Sequence, residues 1–391
     1  MRRSDSGLDF RLLSPQLRGR VSNLVVLNFA PHDPVNDELL SRELQSLRAM
    51  DQVYNLCFLG FGNVNRTLVR LLLEREQELR ARYGISWRIT GVATRRMGWI
   101  ASADGLDPMI LLQPRAPQWY LLPRATPGSG DVREWLRATK PQALFEATSL
   151  NAREGQPAID HIRAALESGA HAITANKGPV VYAYDDLCAL ARRYGKHFLF
   201  ESTVMDGIPI FSLFEHNLPA VKVKGFHGVL NSTTNVILTG MEDGLSFEEA
   251  LKRAQVIGVA ETDPTDDIEG WDAALKIAVL ARVVMNVPLQ VADIERESLA
   301  HVTPEQLRAA HSEGKRYKMV CRAERKADGT VTGSVRLEQV PLSDPMAHLA
   351  GTSSIVYFET DVFPGLVITE LNPGLEATAY GMLADFIRAV R

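Results

Sequence analysis

Cysteine is scarce in this chain of 391 residues, which contains only three. Cys57, Cys188 and Cys321 stand far apart, and no two of them have the short spacing found in metal sites. The scarcity excludes a disulfide framework and a cysteine-based zinc site. It is typical of a protein with buried free thiols in a reducing cytoplasm.

The sequence also lacks a long apolar run and a marked excess of either charge. No stretch is long enough to span a membrane, and the basic segment 1–20 has no apolar core of the kind a secretory signal needs. The formal net charge of −4 gives no electrostatic reason to expect nucleic acid or an anionic membrane as a partner. We therefore expect neither a nucleic acid nor a membrane as a partner.

What is present is the composition of a globular protein, with 46% hydrophobic and 23% charged residues. From Val53 onward, apolar strands alternate with helices, which predicts a parallel sheet covered on both faces. Beyond residues 200–210 the pattern becomes mixed and includes an antiparallel pair over 315–340 with a turn at Asp328–Gly329. We predict an α/β fold in which a Rossmann-type parallel sheet is followed by an α+β domain.

A glycine turn follows the first of these strands, in the place that a dinucleotide-binding fingerprint requires. Gly60 allows the tight turn, and Gly62 allows the backbone to approach a pyrophosphate at the helix N-terminus. Asn65 replaces the usual third glycine, so the motif alone is weak, because glycine turns also occur wherever strands meet helices. The predicted nucleotide contacts in this turn are Gly60, Phe61, Gly62, Asn63 and Val64.

Three further residues follow strands of the same predicted sheet. Arg95 stands where an NAD-specific site usually has an acid for the ribose hydroxyls, so it favours the 2′-phosphate of NADP; the alternative is a solvated basic turn. Lys177 follows the strand at 171–176, at the edge where open α/β sheets bind ligands. It suits a phosphate or a substrate carboxylate, or is a surface lysine. Thr148, at the end of the strand at 143–148, is a third candidate cofactor contact.

The densest chemical signal is the acidic segment 258–276, which reads GVAETDPTDDIEGWDAALK. It runs directly into an apolar helix, so Lys276 is predicted to enter the core. A buried lysine needs a carboxylate partner or loses its proton. Asp272 stands four residues earlier on the same helical face, where an exposed pair would be worth only roughly 0.3–0.5 kcal/mol. Held at a core boundary, the pair predicts proton transfer on a small polar substrate.

Four separated motifs resemble those of homoserine dehydrogenases, and a fifth segment, NPGLEATAYGMLADF at 372–386, resembles that family's final helix, which returns to the nucleotide domain. The four motifs are GFGNV at 60–64, TANKGP at 174–179, GVLNSTTN at 228–235 and GVAETDPTDDIEGWDAALK at 258–276. The resemblance implies reversible NAD(P)-dependent reduction of L-aspartate 4-semialdehyde to L-homoserine, in the threonine and methionine branch of amino-acid biosynthesis.

The resemblance also implies a division into domains and a homodimer. Residues 51–205, completed by 350–391, would bind NAD(P), and residues 206–349 would form the catalytic and dimerisation domain. Residues 1–50 are an N-terminal extension of unknown role, with a predicted strand at 23–29 and a predicted helix at 38–50. No C-terminal regulatory domain is expected, so threonine feedback through such a domain is not expected either.

Single residues gain roles from the resemblance. Lys276 matches the family's catalytic lysine, the proton donor to the aldehyde oxygen, and Asp272 and Asp267 match its acidic partners. Glu261 matches the residue that holds the ammonium group of the substrate. The remaining matches are substrate contacts at Ser232 and Thr233 and cofactor contacts at Lys177 and Gly258.

The segment 201–208 resembles the family's monovalent-cation loop. Met205 and Asp206 replace small residues of the family, but backbone oxygens are insensitive to the side chain they precede. By this likeness a sodium ion would be bound by Glu201 and by the backbone carbonyls of Val204, Asp206 and Ile208.

Two other functions stay open at this point. A related NADP-dependent oxidoreductase would act on another amino-acid-like aldehyde or alcohol, and a non-catalytic NADP-binding or assembly protein would share the fold. The motifs over 228–276 favour homoserine dehydrogenase over the first alternative. The second predicts loss of Lys276 or its acids, and all of them are present.

Overall fold

The first half of the described chain forms a six-stranded sheet that is parallel except at one edge. The computed structural model describes residues 52–113, 122–123 and 131–391. The strands of this sheet are β1 (Val53–Leu59), β2 (Ser86–Thr94), β3 (Gly98–Leu106), β4 (Ala143–Glu146), β5 (His171–Thr174) and β6 (Phe198–Leu199). Their order is β3-β2-β1-β4-β5-β6, and only β2 and β3 pair in an antiparallel sense.

Helices cover both faces of this sheet. They are α1 (Asn63–Glu74), α2 (Glu76–Tyr83), α3 (Pro108–Leu112), α4 (Val132–Thr139), α5 (Ala158–Glu167) and α6 (Lys177–Arg193). In β1, Leu56 and Phe58 share one apolar core with α1, whereas Cys57 and Leu59 share another with α4. Because both faces are buried, the strand reads as a continuous apolar run instead of alternating with polar residues.

A second sheet of six described strands is mainly antiparallel. Its strands are β7 (Val223–Val229), β8 (Glu295–Arg296), β9 (Lys315–Arg325), β10 (Val331–Pro341), β11 (Ser354–Thr360) and β12 (Leu366–Glu370). They lie in the order β12-β11-β7-β9-β10-β8, with only the β8–β10 pair parallel. The predicted hairpin is the β9–β10 pair, and Gly329 in its turn has a φ of 89°, which favours glycine.

The helices of the second half begin where the sequence places their caps. They are α7 (Ser232–Glu242), α8 (Phe247–Val256), α9 (Thr265–Ile268), α10 (Trp271–Val284), α11 (Pro304–Ser312) and α12 (Leu375–Ala389). The spacing of Ser246 and Glu249 predicts a capping box, and that of Thr303 and Gln306 predicts another helix start. The structure has both capping boxes, the first on α8 and the second on α11.

Two helices join the sheets. Helix α10 packs against α6 beside the first sheet and against β9 and β10 of the second. Helix α12 packs on α1, and its Phe386 meets Phe145 and Tyr54 edge to face in the core of the first sheet. The α/β fold class is thereby confirmed, and the C-terminal helix returns to the first sheet; the exact domain boundaries stay a prediction.

Some local predictions need correction. The sequence after the glycine turn predicts one helix over 64–84, but the structure divides it at Arg75, because α2 buries only Leu79 and has no apolar face to continue α1. The segment 197–203 predicts a strand, but the strand ends at Leu199, because Glu201–Thr203 forms a 3₁₀ turn. The strand at 23–29 and the helix at 38–50 lie outside the described residues. Within the described ranges, every helix is too short or too polar to cross a bilayer.

Candidate active site

One cleft of about 300 Å³ collects residues from both halves of the chain. It lies where the carboxyl ends of β4, β5 and β6 approach the first turns of α1, α7 and α10. The predicted site residues that line it are Val64, Thr148, Lys177, Val204, Asp206, Ser232 and Lys276. Thr378 of α12 also lines the cleft and was not predicted.

Asp272 is the centre of the charged cluster in this cleft. Its Oδ1 lies 3.1 Å from Nζ of Lys177, and its Oδ2 lies 3.5 Å from Nζ of Lys276. All three side chains are largely buried, with 14–18% of their surface exposed. The Lys276 ammonium also donates to the carbonyl oxygen of Leu230 at 2.5 Å. One carboxylate therefore holds two ammonium groups that reach it from different layers of the fold.

Local structure sets half of this arrangement. Gly270, with a φ of 75°, ends the short helix α9 and begins α10 in a turn that favours glycine. From there the helical repeat places Asp272 and Lys276 one turn apart on one face. The predicted i,i+4 pair is therefore present, and it is buried and not an exposed helix ion pair.

Asn231 bridges the two acids, and sequence reasoning missed it. Its side-chain nitrogen donates to Asp267 at 2.6 Å and to Asp272 at 3.0 Å. Its side-chain oxygen accepts the N–H of Thr234 at 2.8 Å, so it also caps α7. The available signal was its place as an N-cap residue directly before the predicted substrate contact Ser232.

The charges in this cluster shift the pKa values of Asp272, Lys276 and Asp267. Burial opposes ionisation of Asp272, but Lys177 and Lys276 outweigh it and hold the pKa of Asp272 well below its usual range. Burial opposes charge on Lys276, but Asp272 and Asp206 outweigh it and raise the pKa of the lysine. Burial and the neighbouring Asp272 raise the pKa of Asp267. At neutral pH the cleft therefore presents a protonated Lys276 beside an ionised Asp272.

The glycine turn before α1 fits a dinucleotide. Gly60 has a φ of 76°, and a Cβ atom there would lie 2.3 Å from the carbonyl oxygen of Ala147. A Cβ on Gly62 would meet nothing within 4 Å, and no side chain caps α1 at this residue. Uncapped N–H groups at a helix start with open space before them suit the phosphates of a nucleotide.

The other residues of that turn have different roles. Asn65 is fully buried and donates from its side chain to the carbonyl oxygen of Gly60 at 2.5 Å, so it closes the turn where the fingerprint usually has glycine. Phe61 packs against Phe58 in the core, so any cofactor contact at Phe61 would involve its backbone. Asn63 is exposed on the first turn of α1.

Two candidate cofactor contacts meet at the edge of the first sheet. Thr148 lines the cleft and donates both its N–H and its hydroxyl to Glu146, a buried residue that sequence reasoning also missed. Arg95 donates to the hydroxyl of Ser149 at 3.3 Å, so its guanidinium lies near the loop that carries Thr148. Arg95 therefore lies at the same edge of the sheet as Thr148.

The structure leaves some predicted residues outside the charged cluster. Gly258 and Glu261 are exposed on the connection between α8 and α9, and the Glu261 carbonyl accepts from the side chain of Gln255. Ser232, which lines the cleft, donates to the carbonyl of Thr352 at 3.1 Å. Thr233 donates to the carbonyl of Val259 at 3.3 Å and also forms a side-chain hydrogen bond with Asp267, beside the cluster.

The predicted cation loop is held mainly by its own protein contacts. The carboxylate of Glu201 accepts the N–H groups of Phe211 and Ser212 at 2.7 and 3.0 Å. The carbonyl of Ile208 accepts the N–H of Ile210 at 2.9 Å. No group of three or more His, Cys, Asp or Glu residues in the described chain could hold a metal. A sodium ion here would therefore depend on backbone carbonyl oxygens, and the site stays a prediction.

The parallel sheet, its glycine turn and the lysine–aspartate cluster together define a nicotinamide-nucleotide-dependent oxidoreductase. Two family models match the chain: "Homoserine dehydrogenase, NAD binding domain" over residues 60–201 and "Homoserine dehydrogenase" over residues 209–387. The NAD(+)-dependent homoserine dehydrogenase of Pseudomonas canavaninivorans is 33% identical over 336 residues, which cover 85% of this chain and 95% of that relative. The chain therefore belongs to the homoserine dehydrogenase family.

Solved structures agree with this assignment. A homoserine dehydrogenase from Thiobacillus denitrificans superposes with a TM-score of 0.72 at 27% identity, covering 87% of this chain and 74% of that one. A hyperthermophilic archaeal homoserine dehydrogenase in complex with NADPH superposes with a TM-score of 0.71, covering 87% of this chain and 98% of that one. At 24% identity the second resemblance is one of fold.

The two glycines of the nucleotide turn should respond differently to alanine. Gly60→Ala should lower the melting temperature, because its Cβ would overlap the Ala147 carbonyl and its φ is positive. Gly62→Ala should melt like the unaltered protein but bind NAD(P) more weakly, because its Cβ enters only open space where the phosphates would approach. Thermal melts and fluorescence titration with the nucleotide measure both effects. Equal melting temperatures and equal affinities for the two variants would contradict this assignment.

Proposed function

We propose that this protein catalyses the reversible NAD(P)-dependent reduction of L-aspartate 4-semialdehyde to L-homoserine, with Lys276 as the proton donor. The observation that carries this role is the buried contact between Lys276 and Asp272 in the cleft that also contains Thr148 and Lys177. The family of the chain supports the reaction, and the charge on Lys276 supports the role of this residue.

In this reaction the side chains of the protein donate and accept one proton. The nicotinamide supplies or accepts the hydride when it is bound. Reduction of an aldehyde builds negative charge on its oxygen, and a protonated Lys276 at the wall of the cleft donates the proton that neutralises it. Asp272 keeps the ammonium charged and oriented. In the direction of homoserine oxidation, the neutral amine of Lys276 accepts the hydroxyl proton.

The remaining residues are proposed to bind the two ligands. Asp267, hydrogen-bonded to Asn231 beside Asp272, completes the acidic wall around Lys276. Glu261 is proposed to hold the ammonium group of the substrate, and its exposure leaves its carboxylate available to an incoming amine. Ser232 and Thr233 are the other proposed substrate contacts, and Gly258 is a further proposed cofactor contact.

The nucleotide turn and the end of β4 are proposed to hold the cofactor. The Gly60–Val64 turn would bind the pyrophosphate, and Thr148 and Lys177 would approach the nicotinamide end. Arg95 supports a preference for NADP, because a guanidinium at this edge of the sheet suits a 2′-phosphate. Steady-state oxidation of homoserine with NAD and NADP side by side tests that preference.

We also propose a cytoplasmic homodimer. The apolar side chains of Val362, Phe363, Val367 and Leu371 lie beyond the predicted dimerisation domain 206–349 but along the β11–β12 edge of the same sheet, where they are 38–73% exposed. Exposed apolar residues grouped in this way are typical of a surface that another chain covers. Sedimentation velocity should give a dimer mass, and a monomer at micromolar concentration would contradict this proposal.

Replacement of Lys276 should abolish turnover without loss of cofactor binding. Lys276→Ala removes the proton donor, so kcat for homoserine oxidation should fall by about 10²–10⁴-fold. The dissociation constant of NADP should change little, because the glycine turn and Thr148 remain. Lys252→Ala, at an exposed lysine of α8, is the matched control and should behave like the unaltered enzyme. A Lys276→Ala enzyme with near-normal kcat would rule out this mechanism.

Asp272→Asn should change the pH dependence of the reaction. Because Asp272 raises the pKa of Lys276, the ammonium persists to higher pH in the unaltered enzyme. Without the carboxylate, the lysine should lose its proton at lower pH. The alkaline limb of kcat for aldehyde reduction should then move to lower pH by about 1–3 units. Asp266→Asn, at an exposed acid of the same segment, is the control. An unshifted alkaline limb in Asp272→Asn would contradict the role of Asp272.

A further inference from the structure

A buried carboxylate lies directly behind the cleft. Glu146, the last residue of β4, has 0% of its surface exposed. The main influences on its ionisation are burial and hydrogen bonds from Thr148, Thr174 and Asn176. An isolated buried carboxylate is costly unless hydrogen bonds replace its lost hydration. The partners of Glu146 therefore have to account for its presence.

Hydrogen bonds from the ends of two neighbouring strands meet at this side chain, and they involve Thr148, Thr174 and Asn176. Thr148 donates its N–H to Oε1 at 2.9 Å and its hydroxyl to the same oxygen. The hydroxyl of Thr174 donates to Oε2 at 2.7 Å. That hydroxyl also accepts the N–H of Asn176 at 2.9 Å, which leaves its own proton for Glu146. Burial raises the pKa of Glu146, and these hydrogen bonds oppose the rise. The hydrogen bonds therefore offset part of the cost of burying this carboxyl group and fix its orientation.

The two loops joined by Glu146 both reach the cleft. Thr148 lines the cleft after β4, and Lys177 lines it after β5. Asn176 connects them, because its side-chain oxygen accepts the N–H of Gly178 at 3.0 Å and its side-chain nitrogen donates to the Thr148 carbonyl at 3.4 Å. Lys177 is the next residue, and its Nζ lies 3.1 Å from Oδ1 of Asp272. A displacement of the Glu146 side chain would therefore displace both Thr148 and Lys177 in the cleft.

We propose that Glu146 is a positioning residue, which fixes Thr148 for the cofactor and the Thr174–Lys177 turn for the Asp272–Lys276 pair. Both loops follow neighbouring parallel strands, whose register ends at Glu146 and Thr174 and is followed by one more backbone hydrogen bond, from the N–H of Ala175 to the carbonyl oxygen of Glu146. Beyond that point the Glu146 side chain ties the loops to each other. The kinetic part of this proposal rests on the proposed dehydrogenase function, whereas the cofactor-binding part does not.

Glu146→Gln tests the proposal with little change in shape. The glutamine presents an N–H₂ group either to the N–H of Thr148, which cannot accept, or to the Thr174 hydroxyl, which must then turn its own proton away. The hydrogen bonds to one of the two loops therefore change. We expect kcat for homoserine oxidation to fall by about 10–100-fold, because small displacements of catalytic groups cost that much. We also expect the dissociation constant of NADP, measured by fluorescence titration, to rise by about tenfold.

Two further variants separate positioning from stability. Thr174→Val removes the hydrogen bonds of the Thr174 hydroxyl to Glu146 and to the N–H of Asn176, both on the side of the second loop, and leaves those of Thr148 in place. Therefore kcat should fall by about tenfold while NADP affinity stays within about twofold of the unaltered enzyme. Leu136→Ala, in the buried face of α4 and away from the cleft lining, should lower the melting temperature and leave kcat and NADP affinity unchanged. A role for Glu146 in stability alone would make Glu146→Gln behave like Leu136→Ala.

The proposal is supported or overturned by the kinetic and binding constants of these variants. Losses of kcat and NADP affinity in Glu146→Gln, with the split expected of Thr174→Val, support the proposal. Kinetic and binding constants within about twofold of normal in Glu146→Gln overturn it. If Glu146→Gln does not fold, Thr174→Val decides alone by its kcat. If the unaltered protein does not oxidise homoserine, the proposed function fails, but NADP affinity in Glu146→Gln still tests the hold on Thr148.

Discussion

The carboxylate of Asp272 lies between the ammonium groups of Lys177 and Lys276, and the site depends on this contact. Two largely buried ammonium groups that converge on one cleft would repel each other without an anion between them. Asp272 supplies that anion and raises the pKa of Lys276. Lys177 begins α6 after the first sheet, and Lys276 belongs to α10, which packs on the second. The same ion-pair cluster therefore joins the two halves of the fold at the place where the chemistry is proposed to occur.

Around that contact, hydrogen bonds within the protein replace the hydration that polar groups have at a surface. Asn231 supplies donors to Asp267 and Asp272, and the Leu230 carbonyl accepts from Lys276. Behind the cleft, the buried side chain of Glu146 accepts hydrogen bonds from Thr148 after β4 and from Thr174 at the end of β5. A buried charge is tolerated only when its hydrogen bonds are satisfied in this way. The consequence is a cleft whose charged groups have fixed positions before any ligand arrives.

Elements set by short-range patterns were predictable. The doubly covered strand β1, the capping boxes at Ser246 and Thr303 and the hairpin turn at Gly329 all appear where the sequence places them. The edge strand β3 and the early end of β6 were not predictable. The extent of these strands depends on neighbouring strands and on the turn at Glu201, and not on their own apolar pattern. In the site, the pairing of Asp272 with Lys276 was predictable for the same local reason.

By itself, then, the sequence determined the alternation of strands and helices, the glycine turn at Gly60 and the helical face shared by Asp272 and Lys276. Each of these follows from residues within a few positions of one another, so the 2.0 and 3.6 periods and glycine's access to positive φ suffice. Only the tertiary structure decided that Lys177 reaches Asp272, that Asn231 bridges two acids and that Glu146 ties two loops together. Those contacts join distant segments of the chain, and packing of the two sheets, not local geometry, brings their atoms within bonding distance.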